Sequence, residues 1–484
     1  MKPCPPSLPR LWIAASAIFL ALLSGCSIGP SYHRPTAFGT NDFPQTFAEA
    51  TTNSWKQAEP AAHLARGDWW SIFRDAELNR LEIVATAGNQ EVAATVARFN
   101  QARALVNVAR SDLYPHVSSS PTYTRERTSA NRSDNGERAG TAHNFNNFII
   151  PLDASWELDL WGRVRHQVEA ARARLAASSA DMQSLQLSIQ AEVAIDYFTF
   201  RLLETQHAIV AQSIETYQRS LDLTRNRRAG GIASDLDVSQ AETQLRSAEA
   251  QLPALERESS RVRHALAALC GQPPGTFSLT TTNVNLETVP SVPLSLPSEL
   301  LERRPDISAA EQRMIAANAQ IGVAQTAFYP RLTVGGTAGL ESINAGSLFT
   351  WPSRFWAVGP TLEIPLFTGG RNRANLEATR AGYDETVANY RQTVITAFQE
   401  VEDQLAAQRL LATEIQAQAA ALTAARRTLE IATNRYKAGL VTFLEVAVAQ
   451  TAALERELSV GRLQAERLSA SASLAKALGG GWTQ

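Results

Sequence analysis

Cysteine is nearly absent from this chain, with three in 484 residues. Cys4 and Cys26 belong to the N-terminal leader region, so Cys270 stands alone and the mature chain forms no internal disulfide. It reads as a small buried residue near a helix end. The seven histidines are scattered without the H-x-x-H or C-x-x-C spacing of a metal site. Nucleophile elbow, P-loop and dinucleotide fingerprint are all missing, so nothing points to an enzyme or to a resident cofactor. The net charge of −2 comes without a basic patch, which argues against nucleic acid as a partner, and without an acidic run. Past the N-terminus there is no apolar stretch of about 20 residues, hence no membrane-spanning helix. Proline and glycine are missing from Arg163 to Arg228, and proline is missing from Gly370 to the end.

That last absence permits a single helix of roughly 100 Å over Arg163–Arg228. Val164, Val168, Ala171, Leu175, Ser178, Met182, Leu185 and Ile189 recur at alternating steps of four and three, a coiled-coil seam. A helix this long is unstable alone and needs partners along its length. Ala229-Gly230-Gly231 ends it, because glycine takes the left-handed cap conformation at no steric cost. Ser234 then caps a return helix to about Leu269, with Asp237 at the third position. Pro253 should kink that helix. The same pattern returns 208 residues later: Gly162-Arg163 as Gly370-Arg371, Glu192-Val193 as Glu400-Val401, Asn226-Arg227 as Asn434-Arg435, and Gly231 as Gly439. The chain is a duplication of one helical hairpin unit.

Lys2 and Arg10 flank an apolar run, Leu11–Leu23, too short to span a bilayer and suited to a signal peptide. Leu23-Ser24-Gly25-Cys26 resembles a bacterial lipoprotein cleavage box. The resemblance implies cleavage before Cys26, acylation of its thiol and amine, and, with Ser27 rather than Asp next, outer-membrane sorting. Residues to about 66 run extended, rich in Pro, Ser, Thr and Asn. A helix from about Asp75 to Leu113 ends at Tyr114-Pro115. Val117, Ser119, Pro121 and Tyr123 form a weak strand, and Arg125–Asn147 a polar loop. From Ile150 to Leu160 apolar and polar residues alternate strictly, as in a tilted membrane strand. After a proline-rich linker, a helix over Ser298–Phe328 precedes strands at Leu332–Leu340 and Val358–Leu366. Each half is thus helix, strand pair and long helical hairpin. Four strands with one apolar face leave two edges, which lipid does not tolerate. A ring of three copies would join them into twelve strands.

This order resembles the TolC/OprM-type outer-membrane efflux channels, in their lipoprotein branch serving resistance-nodulation-division pumps. The carrying stretches include Leu296–Ile307, Ala316–Gly322, Phe328-Tyr329-Pro330, Asp159–Arg163 and Lys476–Trp482. The resemblance implies a mainly α protein with a membrane β-barrel: a homotrimer with a twelve-stranded barrel on a long helical barrel, an exit duct meeting a periplasmic adaptor and an inner-membrane pump. On this reading the chain divides into a signal peptide (1–25), a lipidated segment in outer-membrane lipid (26–67), a first repeat (68–271), a linker (272–297) and a second repeat (298–484). A protein-secretion duct of the same fold and a structural periplasmic coiled coil are the alternatives. The tip turns Gly231-Ile232-Ala233-Ser234 and Gly439-Leu440-Val441-Thr442 match the family's adaptor-docking motif. Its gate implies a Tyr436–Asp237 latch, with Leu444, Glu445 and Val448 facing the lumen. Val448 stands where relatives often carry Asp, and Val441 where a second latch uses Arg. Ser234 with Asp237, and Thr442 with Glu445, also fit capping boxes.

Overall fold

The structure, a computed structural model, describes residues 27–35, 67–131, 142–279 and 303–480. The leader, Cys26, residues 36–66 and most of the linker lie outside them. The chain forms two compact units. One takes residues 1–35, 99–177 and 310–389; the other takes 36–98, 178–309 and 390–484.

The first unit holds the sheet. Its strands are β1 (His116–Ser118), β2 (Thr122–Arg127), β3 (Asn144–Leu158), β4 (Arg331–Ser342) and β5 (Arg354–Glu363). All pairings are antiparallel: β3 is bordered by β1 and β2 on one side and β4 on the other, and β5 completes the far edge. β1 and β2 keep one continuous register against β3, Ser118 opposite Asp153 and Thr122 opposite Ile149. They are one strand interrupted before Pro121, which has no N–H to donate. Sequence alternation thus locates the strands but misplaces their ends. The loop expected from Arg125 gives up Arg125–Arg127 to β2 and Asn144–Asn147 to β3, and the last strand runs Arg354–Glu363, not Val358–Leu366. The faces follow the alternation. Ile150, Leu152, Ala154, Trp156 and Leu158 share a face with Leu332, Val334, Ala338 and Leu340. At Gly339 a Cβ would stand 2.2 Å from the Ile150 carbonyl oxygen, so only glycine permits this strand approach.

The helices are α1 (Ala76–Gly88), α2 (Gln90–Ser111), α3 (Arg163–Ala229), α4 (Asp235–Glu249), α5 (Gln251–Leu269), α6 (Pro305–Thr326), α7 (Arg371–Lys437) and α8 (Phe443–Ala477). α3 and α7 each have 67 residues, as the missing Pro and Gly allow. The helix expected over Asp75–Leu113 is broken at Asn89. Its side-chain oxygen accepts from Glu91 and Val92 N–H at 2.8 and 3.1 Å, and its amide donates to the Leu269 carbonyl. Pro253 does more than kink the return helix. It denies the Glu249 carbonyl its donor, and α4 ends there while proline occupies the first turn of α5.

In the second unit Trp69, Leu78, Leu81, Tyr197, Phe198 and Leu266 are the fully buried heart of one apolar cluster. Cys270 joins them, its thiol pushed up to about 11 by burial. Glu82 on α1 is wholly buried too, and neither carboxylate oxygen has a hydrogen-bond partner among the described residues. Burial pushes its carboxyl up to about 9. Arg304 gathers three chain segments: it donates to Asp306 at 2.6 Å, to Glu400 at 2.6 Å and to the Ala477 carbonyl at 3.0 Å. These bonds explain the charges of Arg304 and Asp306 within Arg303-Arg304-Pro305-Asp306. Among the described residues no helix is long and apolar enough to cross a membrane.

Candidate gate and docking tips

The two hairpins of the second unit end in turns of one design. Gly231 has φ +76° and Gly439 φ +77°, a conformation in which a Cβ would be strained. Ile232 N–H bonds the Arg227 carbonyl at 2.8 Å, and Leu440 N–H the Arg435 carbonyl at 3.0 Å. Each closes a Schellman motif over the last turn of α3 or α7. The residue after each glycine is therefore pushed out, and Ile232 and Leu440 are 68% and 70% exposed. Ala233 and Val441 are half-buried and Thr442 is exposed.

The restarts differ. Ser234 and Asp237 form a full capping box: Ser234 Oγ accepts from Asp237 N–H and Asp237 Oδ2 from Ser234 N–H. Thr442 makes no side-chain cap bond, so the second box, with Glu445, does not form. Asp237 reaches across instead. Its Oδ1 accepts from Phe443 N–H, the first residue of α8, at 3.0 Å. One carboxylate thus caps its own helix start and that of α8, whose Phe443 lies 206 residues further along the chain.

The expected Tyr436–Asp237 hydrogen bond is corrected by this geometry. Tyr436 is buried, and its hydroxyl donates to Thr224 Oγ1 at 3.2 Å. Its ring meets Phe443 edge-on with centroids 5.5 Å apart, and the Arg227 guanidinium sits 5.0 Å from the ring centroid. Arg227 also donates to the Lys437 carbonyl at 2.8 Å. Burial alone would raise the Asp237 carboxyl; the Ser234 and Phe443 N–H groups, the Ser234 hydroxyl and Arg227 outweigh it and hold the carboxyl below its ordinary value. Tyr436 and Asp237 therefore meet through Phe443 and Arg227, not directly. Thr224, Arg227 and Phe443 were not singled out from the sequence; only Arg227 carried a signal, as half of the repeated Asn-Arg pair.

The remaining gate positions point away from the packed hairpin. Leu444 and Val448 are 53% and 62% exposed. Glu445 is exposed, 3.8 Å from Arg435, a separation that gives little stability in water. One α8 face is buried through Phe443, Val446 and Ala449, and the opposite stripe of Leu444 and Val448 is left open. Below the tips a buried polar chain joins the hairpins: Gln450 donates to Ser220 at 3.1 Å, and Tyr217 to the Gln450 carbonyl at 3.3 Å.

The model of a family described as "Outer membrane efflux protein" matches residues 84–272 and 296–480. The chain belongs to that family. Among curated relatives of this efflux family, the probable efflux pump outer membrane protein TtgC of Pseudomonas putida is 32% identical, aligned over 96% of this chain and 95% of that one. Outer membrane protein OprJ of Pseudomonas aeruginosa is 34% identical over 97% and 96%. The solved outer-membrane channel OprN superposes with a TM-score of 0.83 at 29% identity, covering 94% of this chain and all of that one. CusC, whose structures concern transmembrane channel formation, superposes at 0.81 with 28% identity and the same coverage. The efflux-family chain is therefore a TolC/OprM-type protein, the outer-membrane exit duct of an efflux system, and its helices and sheet are those of a channel.

Proposed function

We propose that the duct is passive, works as a homotrimer, and is opened at its periplasmic tips by an adaptor that couples it to an inner-membrane pump. The observation that carries this is the pair of matched tips. Each presents one large apolar side chain, Ile232 or Leu440, on a rigid glycine-capped turn. Two matched apolar side chains held outward on rigid turns make a surface suited to a partner's apolar tip. Trimerisation is supported by the sheet, whose β5 and β1–β2 edges are unpaired in one copy. With no catalytic constellation in the sequence, the chemistry is limited to docking and gating. Compounds small enough for the lumen pass, and the walls select little.

The closed state, in this reading, is held by Asp237 across the Phe443 N–H and by Tyr436 on Thr224, with Leu444, Glu445 and Val448 lining the narrow part. Cys26, outside the described residues, carries the lipid. It directly precedes Ser27, which packs at Gly162 where the sheet gives way to α3; a Cβ on Gly162 would stand 2.9 Å from the Ser27 hydroxyl. That anchor point suits acyl chains entering the inner leaflet beside the barrel. The test is reconstitution. Purified protein in a planar bilayer is expected to conduct weakly, and cross-linkers at Ile232 and Leu440 are expected to capture a periplasmic adaptor. A protein that neither conducts nor captures an adaptor would leave only a structural coiled coil.

A further inference from the structure

Strand register sorts the charges of the sheet onto two faces. β3 pairs put Tyr123 opposite Phe148, Arg125 opposite Asn146 and Arg127 opposite Asn144. Arg354 lies opposite Leu340, which lies opposite Ile150. All of these share the apolar face. Of the charged residues in the paired strands, that face holds only Arg125, Arg127 and Arg354. Glu126, Asp153, Glu157, Glu341, Glu363 and Arg331 fall on the other face, with every strand acid among them. Each of the three arginines lies on the part of its strand remote from the helices: Arg127 opposite Asn144, Arg125 opposite Asn146, and Arg354, the first residue of β5, level with Ile150. Helices α3, α6 and α7 join the sheet at its opposite end, through Leu158, Arg331 and Glu363. The apolar face near that helical end carries no charge.

A closed barrel in an outer membrane turns this apolar face to lipid, and the end remote from the helices is the outward one. Arginine within the hydrocarbon is costly and at the headgroup level is not, so a basic rim belongs at the interface. The Arg354 guanidinium lies 3.4 Å over the Trp351 ring. That stacking fixes its plane and leaves its N–H edges for an anion. No carboxylate among the described residues pairs with Arg125, Arg127 or Arg354. Trp351 and Trp356 beside Arg354 are 75% and 77% exposed, the large apolar rings expected at an acyl–headgroup boundary. Arg354 is on one edge of the sheet and Arg125 and Arg127 on the other. Ring closure, which rests on the trimer proposed above, brings the two edges together at each subunit seam.

We propose that these three arginines form a phosphate-binding site for an outward-leaflet glycolipid, one site per seam. Planar guanidinium groups bind phosphate oxygens in pairs. Three of them from two edges suit a headgroup with two phosphates better than a single phosphodiester.

The experiment uses full-length protein purified in mild detergent, with three probes: diphosphorylated lipid A, its dephosphorylated form, and phosphatidylglycerol. Retention is read by native mass spectrometry, which also reports the oligomer. Wild type is expected to hold diphosphorylated lipid A at least about tenfold more tightly than the dephosphorylated form, and Arg125→Gln/Arg127→Gln/Arg354→Gln to lose that margin. Equal retention by the triple variant, or of both forms by wild type, overturns the proposal. An equal loss of phosphatidylglycerol overturns the glycolipid assignment in favour of a generic anionic belt. If the triple variant does not assemble, Arg354→Gln alone is expected to lower retention and Arg354→Lys to restore part of it; no change in either overturns the site. Glu126→Gln, on the opposite face, is expected to leave binding unchanged, and an effect there refutes the face assignment. A wild-type protein that is monomeric would refute the trimer, and binding by the same arginines in that monomer would overturn the seam site.

Discussion

Replacing Asp237 by Ala removes a side-chain bond that ties the first tip to the start of α8. Asp237 Oδ1 accepts from Phe443 N–H at 3.0 Å. A hydrogen bond to a charged acceptor contributes up to about 3 kcal/mol when buried; on a half-exposed turn about 1 kcal/mol is the better figure. Three copies opening together lose about 3 kcal/mol of closed-state preference, on the order of a hundredfold in the closed-to-open ratio. Resting conductance of reconstituted Asp237→Ala is expected to rise accordingly, along with sensitivity of cells to large antibiotics. Two controls separate this bond from its neighbours. Ser234→Ala breaks the capping box but leaves the Phe443 bond, and is expected to change conductance little. Tyr436→Phe loses only the bond to Thr224 Oγ1, about 1 kcal/mol per copy of hairpin packing, and is expected to open the duct no further than Asp237→Ala. Wild-type conductance in an intact Asp237→Ala assembly would refute the reasoning, as would an equal rise in Ser234→Ala.

The same carboxylate sets a pH direction. Its folded value is held below the ordinary one, so the stability it contributes is present above the unfolded pKa and is lost as pH falls through the folded pKa. The latch is expected to hold at neutral and weakly acidic pH and to loosen only beneath the usual carboxylate range. Asp237→Asn keeps one acceptor oxygen for the Phe443 N–H and gives up the bond from Ser234 N–H, since its amide nitrogen only donates; without a titrating group, its conductance is expected to stay flat through that range.

Other outcomes follow from single features. Glu82→Gln is expected to stabilise the protein by up to about 3 kcal/mol at pH 7. The raised carboxyl favours folding fully below about 4.5 and loses that contribution as pH rises toward about 9, so the gain in thermal midpoint is expected to vanish in acid; a destabilised variant at pH 7 would refute the unpaired burial. Ile232→Asp with Leu440→Asp is expected to abolish export while assemblies remain in the outer membrane, because each charge would be buried unpaired against the adaptor. Normal resistance at normal expression would remove the docking assignment. Cys26→Ala is expected to block labelled-palmitate incorporation, and continued labelling would show the cleavage box misread.

Much of this protein is decided locally, within a few residues of chain. The 67-residue helices α3 and α7 follow from missing Pro and Gly and a four-three apolar step. The tips follow from Gly231 and Gly439, and the two faces of β3 from strict alternation. Even the outward arginines sort themselves once strand parity is known. What lies beyond a few residues was not legible. The break at Asn89 depends on the Leu269 carbonyl that Asn89 Nδ2 reaches, and a Cβ on Gly271 would stand 2.0 Å from the Gly88 carbonyl oxygen in the same crossing. Glu82 sits in an α1 sequence that looks amphipathic, and only the packing around it leaves the carboxyl dry. The gate shows the division most sharply. Residue identities placed Asp237 and Tyr436 beside the tips, but the packing of one hairpin on the other chose Phe443 and Thr224 as their partners. A hydrogen bond needs placement to a few tenths of an ångström, and no local pattern sets that across 206 residues.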